Sequence, residues 1–206
     1  MVGRRTGLSL VTLLCACGTP KMTTAPDAVE ALVQPSEETP PPIATAGPSV
    51  GTTTPSASME SVVLSFLNAD DWNYERVDTN LYRMRFTGKS GTWVVLAQIK
   101  PENEQVVFYS VIPQAQNVPD HRRHAAAEYL TRANYGMLVG NFEMDFNDGE
   151  VRYKTLIDVE GGSLQAKQVK TLLYLNVLTF DKYLPGLQAV VAEAQTPANA
   201  VKAVEN

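Results

Sequence analysis

Cysteine is absent after position 17, and no aromatic residue precedes Phe66. The first absence excludes disulfides, thiol nucleophiles and thiolate metal sites from everything downstream. The second denies the first quarter of the 206 residues the large side chains that would offset the entropy of ordering it. A core must therefore be built from about Met59 to Ala194, roughly 135 residues, an ordinary size for one domain. No apolar run reaches the ~18 residues of a membrane-spanning helix. A basic excess is lacking too, since 17 Lys and Arg stand against 22 Asp and Glu. That balance argues against nucleic-acid binding, which needs a basic stripe to neutralise phosphates. It also leaves no polybasic patch for anionic lipid.

What the start does contain is an address. Residues 1–17 follow the order of an export signal: Arg4 and Arg5, a short apolar run from Gly7 to Leu14, then small residues. Leu14-Cys15-Ala16-Cys17 resembles a bacterial lipobox, which implies that Cys17 becomes the first mature residue and carries the acyl chains. The competing reading is a secretory signal cut near Ala16. Removing Arg4 and Arg5 with the leader moves the formal net charge from −5 to −7. Residues 18–57 read as a tether. Eight of the 13 prolines fall between Gly18 and Pro55, among Thr, Ser and Ala. This composition favours an extended chain spanning about 35 Å. A lipidated Cys17 places the protein in the cell envelope as a membrane-anchored lipoprotein. With no Asp after Cys17, the expected site is the periplasmic face of the outer membrane, in a host that has one.

Within residues 58–194, apolar spacing predicts a helix over Ser58–Leu67, capped by Ser56 or Ser58. A strand from Tyr74 to Asp78 leads to a hairpin, Leu81–Thr87 and Thr92–Ile99, joined through Gly88-Lys89-Ser90-Gly91. Phe86 should face Trp93, Met84 should face Val95, and Tyr82 should face Ala97. A further strand covers Gln105–Ile112. Val118-Pro119-Asp120 opens a helix to about Ala133, because Pro suits the first helical position and Asp favours the positive N-terminus. Asp148-Gly149 then signals a tight hairpin. As a two-residue loop it would set Phe146 opposite Val151, Met144 opposite Tyr153 and Phe142 opposite Thr155, with Asp145 opposite Arg152 and Glu143 opposite Lys154. Ser163 should cap a third helix, Leu164–Tyr183, which Pro185 either kinks or ends before a short helix to Ala194. Residues 195–206 read as a flexible tail. The order α-β-β-β-β-α-β-β-α describes an α+β domain, an antiparallel sheet with helices packed on one face.

This domain resembles the YbjN-like family, whose label is bacterial sensory transduction regulator and whose fold is similar to type III secretion chaperones. The resemblance rests on Tyr129-Leu130, Ala133-Asn134-Tyr135-Gly136, Gly140-Asn141-Phe142-Glu143-Met144-Asp145, Asp148-Gly149-Glu150-Val151-Arg152-Tyr153-Lys154 and Tyr183-Leu184-Pro185. It covers about Met59 to Ala194 and implies a fold, with no catalytic residues to carry over.

Side-chain chemistry gives little. His121, His124 and Glu128 could touch one metal on a helix, but Arg122 and Arg123 oppose a cation there, so a solvated polar face is the expected reading. Asp145, Asn147, Asp148 and Glu150 are better explained by the hairpin turn than by a calcium loop. Gly88-Lys89-Ser90-Gly91 lacks the spacing of a phosphate loop. No catalytic, cofactor or metal residue is assigned, and no enzyme is expected. Binding has a better basis. The strands Thr92–Ile99 and Gln105–Ile112 are apolar on both faces, and one layer of helices covers only one. The other face, carrying Val94, Leu96, Val107, Tyr109 and Val111 beside Arg83 and Arg85, must meet another helix of the chain, a second copy in a homodimer, or a protein partner. The function expected is a lipid-anchored, non-catalytic protein-binding or chaperone-like module. The alternative is a regulatory or sensory domain with a small ligand between helices and sheet.

Overall fold

Ser58 opens the folded chain: its hydroxyl accepts from the Ser61 amide at 3.1 Å and caps α1, Met59–Ala69, which buries Val63, Phe66 and Leu67. The structure is a computed structural model and describes residues 57–206. The leader, Cys17 and the tether up to residue 56 lie outside the described residues. After α1 come β1 (Tyr74–Asp78), β2 (Leu81–Thr87), β3 (Thr92–Lys100) and β4 (Gln105–Val111). Then follow α2 (Arg123–Asn134), β5 (Asn141–Met144), β6 (Val151–Asp158), α3 (Ala166–Val191) and α4 (Pro197–Glu205). The strands form one antiparallel sheet in the order β1-β2-β3-β4-β6-β5. The expected order of elements stands, with one helix added at its end.

The β2–β3 register is the expected one, with Phe86 facing Trp93, Met84 facing Val95 and Tyr82 facing Ala97. These residues put one sheet face into the core. Trp93, Val95, Phe108 and Tyr153 are buried there with Leu173, Val177 and Phe180 of α3 and Tyr129 of α2. Inside this apolar layer sits a polar knot. Asn176, fully buried, donates to the carbonyls of Phe108 and Tyr153 at 3.0 Å each and to Thr155 at 3.3 Å. Its own carbonyl accepts from Ser110 at 2.6 Å, and Ser110 accepts from the Trp93 indole at 2.9 Å. Every polar group of the knot therefore has a partner, as burial demands.

The β5–β6 hairpin departs from its expected register by two residues. Met144 faces Val151, Phe142 faces Tyr153 and Glu143 faces Arg152, so the loop runs from Asp145 to Glu150 instead of being Asp148-Gly149 alone. An even shift keeps every side chain on its expected face. The longer loop closes on itself, with the Gly149 amide donating to the Asp145 carbonyl at 2.8 Å. It is also fastened to the chain before α2, where the Val118 amide donates to the Gly149 carbonyl at 2.8 Å. Gly149 takes φ +79°, and a Cβ there would lie 2.0 Å from the Val118 carbonyl oxygen.

Two further expectations are corrected by tertiary contacts. Gln165 and Gln168, in a reciprocal capping box, start α3 in place of Ser163, and the helix passes through Pro185 without ending. A proline in a helix strips the carbonyl four residues earlier of its partner, here that of Asp181. The Ser90 hydroxyl donates to that oxygen at 2.7 Å, while the amides of Lys89 and Ser90 donate to the Asp181 carboxylate at 2.9 and 2.7 Å. The β2–β3 turn thus supplies what proline removes. Residues 197–205, expected in a flexible tail, form α4. Thr196 accepts from the Asn199 amide, Ala200 and Val201 are buried, and the Tyr183 hydroxyl donates to Glu205 at 2.8 Å. So short a helix is marginal in isolation, and its docking sustains it.

Candidate functional site

Alternation along the strands sends the remaining side chains to the opposite face of the sheet. Two rows across this face follow from the pairing. One reads Arg85, Val94, Val111, Arg152, Glu143 from β2 to β5. The next reads Glu75, Arg83, Leu96, Tyr109, Lys154, Asn141 from β1 to β5. In both, apolar residues occupy the central strands β3 and β4 and cations stand on β2 and β6, with one carboxylate further out in each row, Glu143 on β5 in the first and Glu75 on β1 in the second. α2 and α3 pack against the sheet, α1 against α3 and α4 on α2 and α3, and no residue of α1 to α4 lines the groove on this strip.

Three of the four cations are held, not loose. Arg83 lies 2.6 Å from Glu75, and Arg152 lies 2.8 Å from Glu143, which also pairs with Lys154. Burial alone would raise the Glu143 carboxyl, but hydrogen bonds from Lys154 and Arg152 outweigh it and hold it below its usual value. The Arg152 guanidinium also lies over the Tyr109 ring, 4.7 Å from its centroid, an attraction between cation and ring quadrupole. Arg85 is exposed and forms no ion pair among the described residues.

Between the cations the strip forms an open groove of about 470 Å³, whose lining includes Leu81, Leu96, Tyr109, Val111, Pro113 and Arg152. Val94, Leu96, Tyr109 and Val111 are half-buried here, as their place on this face requires. Val107 does not offer a contact surface: it is 1% exposed, set in register between Gln98 and Leu156. Sequence reasoning had the strip but not its far wall. The two-residue register error set Asp145 against Arg152, and so hid the Glu143 bracket that holds Arg152 and Lys154 beside Tyr109. Leu81 shares the parity of Arg83 and could have been read from alternation alone.

Elsewhere the described residues offer less. Glu128 is committed to Arg132 at 2.8 Å, and the His124 ring packs tilted against Phe146 with 5.7 Å between centroids. His121, His124 and Glu128 are therefore not assembled as a ligand set, and no group of three or more His, Cys, Asp or Glu among the described residues could hold a metal. The α2–β5 loop exposes Tyr135 and Leu138, the latter fully. No helix of the described residues is long and apolar enough to cross a membrane.

The sequence profile of the YbjN family, described as "Putative bacterial sensory transduction regulator", matches residues 61–189, well over half of the chain. Comparison with curated proteins gives no match. Among solved structures the chain is similar to one described as "Structure of the HopA1-SchA Chaperone-Effector Complex", at 12% identity and a TM-score of 0.39. That similarity covers 60% of this chain and 89% of the other. A likeness at this level says nothing about what this chain binds.

Proposed function

This chain belongs to the YbjN family, and on that premise we propose that it is a non-enzymatic, lipid-anchored extracytoplasmic module that binds another protein on its uncovered sheet face. The observation that carries the reading is the asymmetry of the sheet. One face is closed by α1, α2 and α3, while the other presents Val94, Leu96, Tyr109 and Val111 to solvent between two lines of cations. Isolated exposed apolar residues need no explanation, but a contiguous strip with a charged rim is the composition of an interaction surface. A small-ligand site would converge polar groups in an enclosing pocket, and the groove on this face is open with an apolar floor. That favours a protein partner over the sensory, ligand-binding alternative.

The anchoring half of the proposal is supported by sequence alone. Arg4 and Arg5, the short apolar run and Cys17 fit a lipoprotein leader, and a proline-rich tether would hold the domain off the membrane. Replacing Cys17→Ser is expected to release the protein from the membrane fraction, since a stable anchor needs the acyl chains. Retention after a high-salt wash would reject the lipoprotein reading.

Binding is tested by proximity labelling in intact cells with the wild type and a Leu96→Glu/Val111→Glu variant. Both positions are half-exposed, so the variant is expected to fold, as a urea transition checks, and to lose the neighbours that the wild type labels. An unchanged set of labelled neighbours in a folded variant would move the function off this face.

A further inference from the structure

We infer that the occupant of this face is an amphipathic helix of another protein, with an apolar stripe flanked on both sides by carboxylates. The inference rests on the protein-binding reading above and specifies its partner. Shape decides for a helix over an extended segment. β3 and β4 are bonded to neighbours on both sides, so a strand laid across them would find no backbone partners. A helix satisfies its own backbone groups.

The width agrees. β2 and β6 are separated by three interstrand steps, about 14 Å at ~4.8 Å each. A helix with its side chains measures about 10–12 Å across. A helix seated along β3 and β4 therefore has Arg83 and Arg85 along one flank and Arg152 and Lys154 along the other. Glu75 and Glu143 stand behind those cations, one strand further out. Glu150 also lines the groove, at its Arg152 end, but four cations flank the strip against this one carboxylate, so the occupant meets mainly positive charge, on a chain whose formal net charge is −5. A second copy of this chain fits poorly, because it would bring the same cationic flanks against themselves.

The probes are three synthetic peptides of about 18 residues, or roughly five turns, tested against the full chain. One has a leucine stripe with glutamate flanks, one the same stripe with lysine flanks, and one the acidic sequence interrupted by proline. The acidic helix is expected to bind at least about tenfold more tightly than either of the others, through charge complementarity and preformed shape. An Arg83→Glu/Arg85→Glu variant should lose about tenfold for the acidic peptide and gain for the basic one. Equal binding of the acidic and basic peptides, or of the helical and interrupted ones, overturns the inference.

A second arm separates this from the reading beneath it. Tyr109→p-benzoylphenylalanine in the full chain, photolysed in cells, should cross-link to acid-flanked helical segments, with the exposed Leu138 position as control. Adducts at Tyr109 that map to basic or extended segments overturn the helix and leave protein binding standing. Adducts only at Leu138 reject the sheet face itself. Adducts confined to residues 27–33 of the same chain, where Asp27 and Glu30 accompany Val29 and Leu32, overturn an external partner.

Discussion

Gly149 and Gly161 both hold positive φ, +79° and +70°, but only one is enclosed. An added Cβ meets nothing within 4 Å at Gly161, whereas at Gly149 it would fall 2.0 Å from the Val118 carbonyl oxygen. Replacing each by Ala therefore separates two costs that usually arrive together. The left-handed backbone costs an alanine about 1–2 kcal/mol at either site. At Gly149 the Val118 carbonyl must also retreat by more than an ångström. Such a retreat breaks the bond from the Val118 amide to the Gly149 carbonyl, now 2.8 Å. Val118 is 1% exposed, so its amide would go unsatisfied, at about 1–3 kcal/mol. We expect Gly161→Ala to cost about 1–2 kcal/mol and Gly149→Ala about 3–4. The excess of ~2 kcal/mol corresponds to a melting temperature lower by about 4–8 °C. Urea midpoints with unchanged m-values would measure both. Equal losses at the two positions would refute the claim that the Asp145–Glu150 loop is pinned against Val118.

Three further outcomes are expected. Asn176→Leu keeps the branched shape without the bonds, so it should cost about 1–3 kcal/mol, chiefly by leaving the buried Ser110 hydroxyl with no acceptor; combined with Ser110→Ala, the losses should fall short of additive in a double-mutant cycle. Asp181 should contribute to acid sensitivity. Burial raises its carboxyl, but the amides of Lys89 and Ser90 outweigh that and hold it below 3.8. Its stabilisation is then present above pH ~4 and lost as pH falls through the depressed folded value, and Asp181→Asn should flatten that acid limb in denaturation curves taken across it. The Tyr183 phenol is pushed up to about 12, by burial first and by Glu205 second. Its neutral form is favoured by folding, so this share of stability holds below pH ~10 and drains as pH rises towards 12; Tyr183→Phe should soften the alkaline limb.

Local signals were enough where the chain closes on near neighbours. Gly88-Lys89-Ser90-Gly91 fixed the β2–β3 register because the turn and the alternation of Phe86, Met84 and Tyr82 agree. Asp148-Gly149 misled because the conformation of Gly149 is set jointly by Asp145 and by Val118, a residue far upstream whose approach leaves no mark in the hairpin's own sequence. The face of each residue survived that error, since pairing slid by an even number. For α4 the start signals, Thr196 and Pro197, were present, but Ala200 and Val201 gave too little apolar pattern, and the contact from Tyr183 to Glu205 is tertiary. At the candidate site, alternation revealed the apolar strip. It could not show that Val107 is shut away, nor that Arg152 leans over Tyr109.

The partnership of Pro185 with Ser90 bears on how the chain is made. Ninety-one residues separate the hydroxyl from the carbonyl it completes, and during synthesis the earlier residue emerges from the ribosome long before the later one. The first hairpin can close from its own contacts within microseconds, whereas the last turns of α3 carry a vacancy that nothing in their own neighbourhood fills. Those turns are expected to gain protection from amide exchange only after the hairpin has formed, with Ser90→Ala shortening the protection of residues near Pro185 while leaving the start of α3 unchanged. The order of assembly would then be written into one hydroxyl, placed early in the chain to receive a helix that arrives late.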